Sequence, residues 1–154
     1  MKSVRRAGFL ALVPFALFAP GAQAQTYGSI GFGAAKPVSD LGDLYNTGYT
    51  VRGQVGFSLV FLDAHIQTGW TNFPVASKGS DLDNLNIYHA GAGARLGLGF
   101  IWVGANGAYF FGDGDQGIGW FPELGLKFWK VEGVVDFRID GDEKWGAARV
   151  GLRF

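Results

Sequence analysis

The sequence predicts an all-β protein, an eight-stranded antiparallel up-and-down barrel that spans a membrane. Apolar and polar residues alternate with period two in segments near the ~10 residues that a tilted membrane strand requires. Connections between these segments alternate between short and long, as in membrane barrels. The composition fits the same class, with 26 Gly, 14 Phe, 5 Trp and 5 Tyr in 154 residues of which only 17% are charged.

The beginning of the chain predicts export. Basic residues precede an apolar run from Ala7 to Ala19, and a small-residue cleavage pattern follows at Ala22-Gln23-Ala24. A positively charged start, a short apolar run and small residues at the cut define a secretory signal peptide. We therefore expect a signal peptide over residues 1–24 and a barrel domain over residues 25–154.

Charge and cysteine content exclude several classes of function. Without Lys2, Arg5 and Arg6, the 13 basic residues fall to 10 against 13 acidic ones, a net charge of about −3. That balance argues against nucleic-acid binding, which needs clustered Lys and Arg. The chain has no Cys, which excludes disulfides and the acylated cysteine of a lipoprotein.

The strands are predicted from their alternation. In residues 47–59, Tyr49, Val51 and Val55 share one parity while Arg52 and Gln54 share the other. Counting such matches along the chain gives eight strands. They cover residues 26–35, 47–59, 62–71, 88–97, 101–111, 118–128, 131–140 and 145–154.

Proline interrupts one of these segments. Pro122 lies inside the predicted sixth strand and has no backbone N–H to donate to a neighbour. Proline within a sheet is found at edges and bulges. We therefore expect a β-bulge at this position.

The connections predict an orientation. Short ones lie around residues 60–61, 98–99 and 129–130, and they contain no acids. Longer ones over residues 36–46, 72–86, 112–116 and 141–144 all contain or adjoin Asp or Glu. Short turns are periplasmic and long loops external in membrane barrels of bacteria. We expect both termini in the periplasm and acidic loops outside the cell.

The C-terminal strand carries the most specific motif. Val150, Leu152 and Phe154 share one parity, and the strand ends on an aromatic residue. This pattern resembles the assembly signal of bacterial outer-membrane β-barrels. As an architecture, the whole mature chain resembles the small OmpA-like and OmpX-like eight-stranded barrels. The terminal Phe, the loop asymmetry and the leader together favour this class over a soluble β-sandwich, whose strands also alternate.

The resemblance implies a location and partners. It implies an integral monomer in the bacterial outer membrane, in contact with lipids and lipopolysaccharide, and inserted by the barrel-assembly machinery. It also implies a role in envelope structure, adhesion or defence, without a cofactor. Aromatic girdles are expected at both membrane surfaces. The predicted girdle residues are Tyr49, Trp70, Tyr88, Phe111 and Trp120 on the external side, and Tyr27, Phe57, Phe100, Phe128 and Phe154 on the periplasmic side.

The polar parity predicts the contents of the lumen. Eight strands enclose a space that side chains can fill, and buried charges persist when they are paired. We therefore expect a charged network that plugs the barrel; a narrow ion channel past inward glycines is the alternative. The predicted lumen residues are Arg52, Gln54, Asp63, His65, Gln67, His89, Arg95, Asn106, Glu123, Lys127, Glu132, Asp136, Arg138, Arg149 and Arg153.

A lipid A-modifying enzyme is the third interpretation. Some small outer-membrane barrels are lipid A deacylases, which use a Ser activated by a His. Neither His65 nor His89 has a Ser two residues away, as the deacylase pattern requires. Only Ser77 and Ser80, in the second long connection, are near His89 in the predicted topology. The sequence therefore favours a protein that is not an enzyme.

Two acidic turns have the ligand type that hard cations prefer. Asp113 and Asp115 flank one glycine, and Asp140 and Asp142 flank another. Neither motif continues into a full calcium loop, and Asp and Gly are favoured in turns for backbone reasons. Solvated hairpin tips are favoured over a shared divalent site, so no metal is predicted.

Overall fold

The computed structural model describes residues 24–38, 40–76, 82–114, 116–139 and 144–154. They form eight strands and one short helix, α1 (Asp40–Leu44). The predicted signal peptide lies outside the described residues, apart from Ala24. The strands are β1 (Gln25–Pro37), β2 (Gly48–Leu59), β3 (Leu62–Phe73), β4 (Leu85–Leu98), β5 (Ile101–Gly112), β6 (Gly117–Phe128), β7 (Val131–Arg138) and β8 (Trp145–Arg153).

The eight strands close into one antiparallel barrel in sequence order. Closure is made by β1 and β8, which pair from Ser29↔Arg153 to Pro37↔Trp145. Phe154 extends this seam, because its backbone N–H donates to Gly28 and its carbonyl accepts from the Gly28 N–H. The predicted fold class is thereby confirmed. No helix in the described part of the chain has the length and apolarity that a membrane-crossing helix needs.

Side chains of successive residues point to opposite faces of each strand. On β2, Thr50, Arg52 and Gln54 are buried inside the barrel, whereas Tyr49 and Val55 are exposed on its outer face. The same pattern continues around the barrel. The outside is therefore apolar, and the ionisable side chains of the strands are mostly inside.

The two ends of the barrel differ. Connections 60–61, 99–100 and 129–130 are tight turns at one end, which we call the turn end. The longer connections lie at the other end, the loop end. There α1 places Leu41 against the apolar interior, and Tyr45 pairs with Val75 to join the first two loops. β4 begins at Leu85, three residues before its predicted start, so the second loop is shorter than expected.

The predicted bulge at Pro122 is absent. The β5–β6 register runs through Ala105↔Pro122 without a shift. The carbonyl of Trp120 accepts a hydrogen bond from the N–H of Ile139, just after β7. Residues two apart in a strand direct their backbone groups toward the same neighbouring strand, so Pro122 faces β7 as Trp120 does. Pro122 therefore lacks a donor only toward β7, where the paired ladder already stops at Glu123.

One glycine makes room for an aromatic ring in the lumen. A Cβ on Gly125 would lie 2.2 Å from the Trp102 indole, which rests on the Gly125 backbone. The Arg95 guanidinium lies over this ring, 4.0 Å from the centroid. Gly125 thus sets the position of an arginine through the ring between them.

We expect Gly125→Ala to destabilise the barrel by about 1–3 kcal/mol, because the Trp102 ring must move away from its place under Arg95. Equilibrium unfolding of the refolded protein in lipid vesicles measures the change. The matched control is Gly133→Ala, where an added Cβ has nothing within 4 Å. Equal stability of the two variants would contradict this packing.

Candidate functional site

A carboxylate in the middle of the lumen holds two arginines. Glu123 accepts from Arg52 Nη1 at 3.0 Å and from Arg95 Nε at 2.7 Å. Arg95 also donates to Glu132 at 3.3 Å and to the Gln54 side-chain oxygen at 2.8 Å. These five residues come from β2, β4, β6 and β7, and all are buried. The network therefore spans the lumen from wall to wall.

A second carboxylate extends the network. Asp136 accepts from Arg52 at 2.8 Å and is ion-paired with Arg149. Arg149 also lies 3.5 Å from the Thr50 hydroxyl. Three arginines thus face three carboxylates in the lumen network, and its Glu132 also lies 3.6 Å from Arg153. The ionised members of this network are Arg52, Arg95, Arg149, Glu123, Glu132 and Asp136.

A smaller cluster lies at the turn end. Arg153 donates to Asp63 at 2.7 Å, and Asp63 also accepts from Ser58. The Arg153 guanidinium stacks 3.6 Å from the centre of the Tyr27 ring. Lys127, on the inward parity of β6, is half-buried toward this end.

Tyr27 was predicted in the outer girdle, and this was wrong. Its side chain is buried inside the barrel, under Arg153. The reason is parity, since Tyr27 lies two residues from the inward Ser29. Position at a strand end and ring type suggested the membrane surface, whereas alternation decides the face.

Both histidines lie inside the barrel. His65 shares a hydrogen bond with the Asn106 side-chain oxygen at 2.8 Å. The side chains of His89 and Gln67 are buried and have no hydrogen-bond partner in the described part of the chain. The hydroxyl of Ser58 is bonded to Asp63, which lies two residues from His65 on β3. No hydrogen bond joins a serine to a histidine within the described ranges; Ser77 and Ser80 lie outside them.

Aromatic rings fill the lumen at the loop end. Phe110 contacts Phe121 edge to face at 5.3 Å, and Trp145 lies 6.4 Å from Phe121 and 6.1 Å from Phe73. The His89 ring packs against Phe110 and Phe121, and Arg138 stacks 4.0 Å from the centre of the Phe110 ring. We call this set the aromatic layer. It comprises Phe73, Leu85, Ile87, Phe110, Phe121 and Trp145, with Leu41 of α1 above them.

Sequence reasoning missed this layer. Phe110 and Trp145 lie on the inward parity of their strands, where the sequence pattern predicted polar side chains. Phe73 and Phe121 share the inward parity of β3 and β6. Alternation alone was a sufficient signal, because parity assigns a face whatever the chemistry of the side chain.

The remaining girdle residues lie on the outer face. Their exposure varies from half-buried for Trp70 and Phe57 to largely exposed for Phe128. The Trp70 indole donates to Asn86, whose own backbone and side-chain amides donate to Asp113 at 3.1 Å. The outward girdle residues are Tyr49, Trp70, Tyr88, Phe111 and Trp120 toward the loop end, and Phe57, Phe100, Phe128 and Phe154 toward the turn end.

The residues of the predicted assembly signal also face outward. Val150, Leu152 and Phe154 are exposed on the outer face of β8. Of the acids weighed as cation ligands, Asp113 binds Asn86, while Asp115, Asp140 and Asp142 lie outside the described residues. No group of three or more His, Asp or Glu side chains in the described ranges is arranged to hold a metal ion.

These features define a closed eight-stranded barrel, apolar outside and ionic inside, which is the fold of the small outer-membrane β-barrels. The chain is similar to the structure of Neisserial surface protein A, with 18% identity, a TM-score of 0.56, and coverage of 85% of this chain and 97% of that one. It is also similar to Ail, the attachment invasion locus protein of Yersinia pestis, with 16% identity, a TM-score of 0.50, and coverage of 84% and 97%. No protein-family model and no curated protein matches the sequence.

We expect Glu123→Ala to lower the free energy of unfolding by about 3–5 kcal/mol, because it leaves two buried arginines without their shared carboxylate. Urea titration in vesicles measures the loss. Asp43→Ala, which removes an exposed carboxylate on α1, is the control and should change stability by less than about 0.5 kcal/mol. A Glu123→Ala variant as stable as this control would show that the network contributes little to stability.

Proposed function

We propose that this chain is an integral protein of the bacterial outer membrane, with a structural or surface-interaction role and a plugged lumen. The observation that supports this most directly is the inverted distribution of side chains. Val55, Ile66 and Val150 are exposed on the outer face, while charged groups such as Arg52 and Glu123 are buried. Only a hydrocarbon solvent makes such an exterior favourable.

Two groups of side chains fill the lumen, and both support a plug. The lumen network of arginines and carboxylates crosses the middle of the barrel, and the aromatic layer covers the loop end. Phe73, Phe110, Phe121 and Trp145 have no exposed surface. An ion entering from the loop end would first have to cross rings that offer it no ligands. The plug is therefore favoured over a narrow channel.

The proposed role belongs to the loop end. The acidic residues of the loop end include Asp40 and Asp43 on α1, which are exposed. The two similar structures are named as a surface protein and an attachment invasion locus protein. We place the loop end outside the cell and both termini in the periplasm, after removal of residues 1–24. Lipids, lipopolysaccharide and, during insertion, the assembly machinery are the proposed partners of a monomer.

Fractionation and gel mobility test the location. We expect the processed protein in the outer-membrane fraction, migrating differently before and after boiling in detergent, because a closed barrel resists unfolding at room temperature. A cysteine at Asp43, in a chain without natural cysteines, should react with an impermeant maleimide on whole cells. Protein recovered as a soluble periplasmic species would contradict the proposal.

Conductance tests the plug. We expect no steady current from the purified protein in planar bilayers, because the aromatic layer is closed. The double variant Phe110→Ala, Phe121→Ala should admit water at the loop end and raise the frequency of openings. Steady conductance from the unmodified protein would instead favour the channel. Lipid A mass spectra that differ between deletion and wild-type strains would favour an enzyme.

A further inference from the structure

The turn end is built from large apolar side chains. Val60 is 91% exposed, Leu98 78% and Trp129 81%. Phe61 and Phe100 complete the first two turns and are also exposed. Hairpin turns in water are ordinarily made of Gly, Asn, Asp, Pro and Ser. The composition of these turns indicates a different surrounding medium.

The height of the apolar exterior places these turns at a membrane surface. From the turns to the outer aromatic ring, marked by Trp70, Tyr88 and Trp120, each strand has about ten residues. At ~3.3 Å per residue and a tilt near 40°, this length spans roughly 25 Å. The apolar band of a membrane barrel is itself ≈ 25 Å tall. The hydrocarbon layer therefore reaches the turns, with no polar segment of strand between them.

The charge of the turns indicates the kind of lipid. Lys130 carries the one charge in the three turns, all of which lie in the described part of the chain. Its ammonium group lies 5.6 Å from the centre of the Trp129 ring. Indole and lysine side chains both favour the headgroup level of a bilayer. The three turns contain no Asp or Glu, and a lysine at a membrane surface attracts an anionic headgroup.

The backbone at Trp129 adds an independent observation. Trp129 has a φ of 56°, and Gly99 has a φ of 72° at the corresponding position of the preceding turn. Glycine adopts this left-handed conformation without steric cost, whereas a bulky residue does so rarely. Trp129 is 81% exposed, so little of this residue is packed against the described part of the protein.

We propose that the turn end is a lipid-binding surface that lies within the headgroup layer, with Trp129 and Lys130 contacting an anionic phospholipid. The proposal rests on the membrane insertion proposed above. It predicts that the turns do not project into the periplasm and are not available there to a protein partner.

Depth measurements test the immersion of the turns. Because the chain has no cysteine, single nitroxide labels can be attached to Val60→Cys, Ile66→Cys and Asp43→Cys variants in phosphatidylethanolamine and phosphatidylglycerol vesicles. We expect the mid-strand label at 66 to collide with oxygen far more than with a water-soluble nickel chelate, and the label at 60 to show a smaller excess of oxygen collisions, as the headgroup level requires. The label at 43 should show the opposite. A water-like label at 60 beside a lipid-like label at 66 would overturn the proposal while leaving membrane insertion intact. Water-like labels at both positions would overturn both.

Quenching by brominated lipids tests the headgroup. The Trp129 signal is the difference between the parent and Trp129→Phe. We expect brominated phosphatidylglycerol, at low mole fraction, to be enriched about fivefold over brominated phosphatidylethanolamine near this ring, from one lysine at the surface. Lys130→Gln should remove the enrichment, and Lys144→Gln at the loop end should retain it. Equal quenching by the two lipids in the parent would overturn the assignment to an anionic lipid.

Discussion

Hydrocarbon offers no hydrogen bonds to a backbone, and this constraint governs the rest of the structure. Each strand that faces lipid must pair on both edges, which a sheet achieves only by closing on itself. The pairing of β1 with β8 meets this requirement. Once the sheet is closed, alternation sends each side chain either to lipid or to a narrow interior. The apolar exterior and the packed lumen are both consequences of that division.

The interior of the barrel is filled by two kinds of side chain. In the middle, charged side chains from facing strands are stable because each carboxylate meets an arginine, as Glu123 meets Arg52 and Arg95. At the loop end, rings pack on rings and exclude water. His89 lies at the boundary, against Phe110 and Phe121. The small cross-section of eight strands lets side chains from facing strands meet in both regions.

Much of this fold follows from the sequence, because the alternation of apolar and polar residues shows directly which face of a strand each residue occupies. The alternation on β2 and β3 gave strand limits and faces that agree closely with the structure, and the inward placement of Arg52 and Glu123 followed. Chemical expectation led to the errors. Tyr27 was assigned to lipid because aromatic rings favour membrane surfaces, although its parity pointed inward. Pairings such as Arg153 with Asp63 depend on register and side-chain reach across the barrel, which no local pattern records.

β8 closes the sheet and also supplies two arginines to ion pairs inside the barrel. Arg149 and Arg153 on this strand are partners of Asp136 and Asp63, which lie on β7 and β3. Until β8 docks, these acids lack one of their cations, and the edges of β1 and β7 lack hydrogen bonds. Electrostatic compensation and sheet closure therefore occur in the same event. Such coupling makes a half-assembled form of the barrel doubly unfavourable.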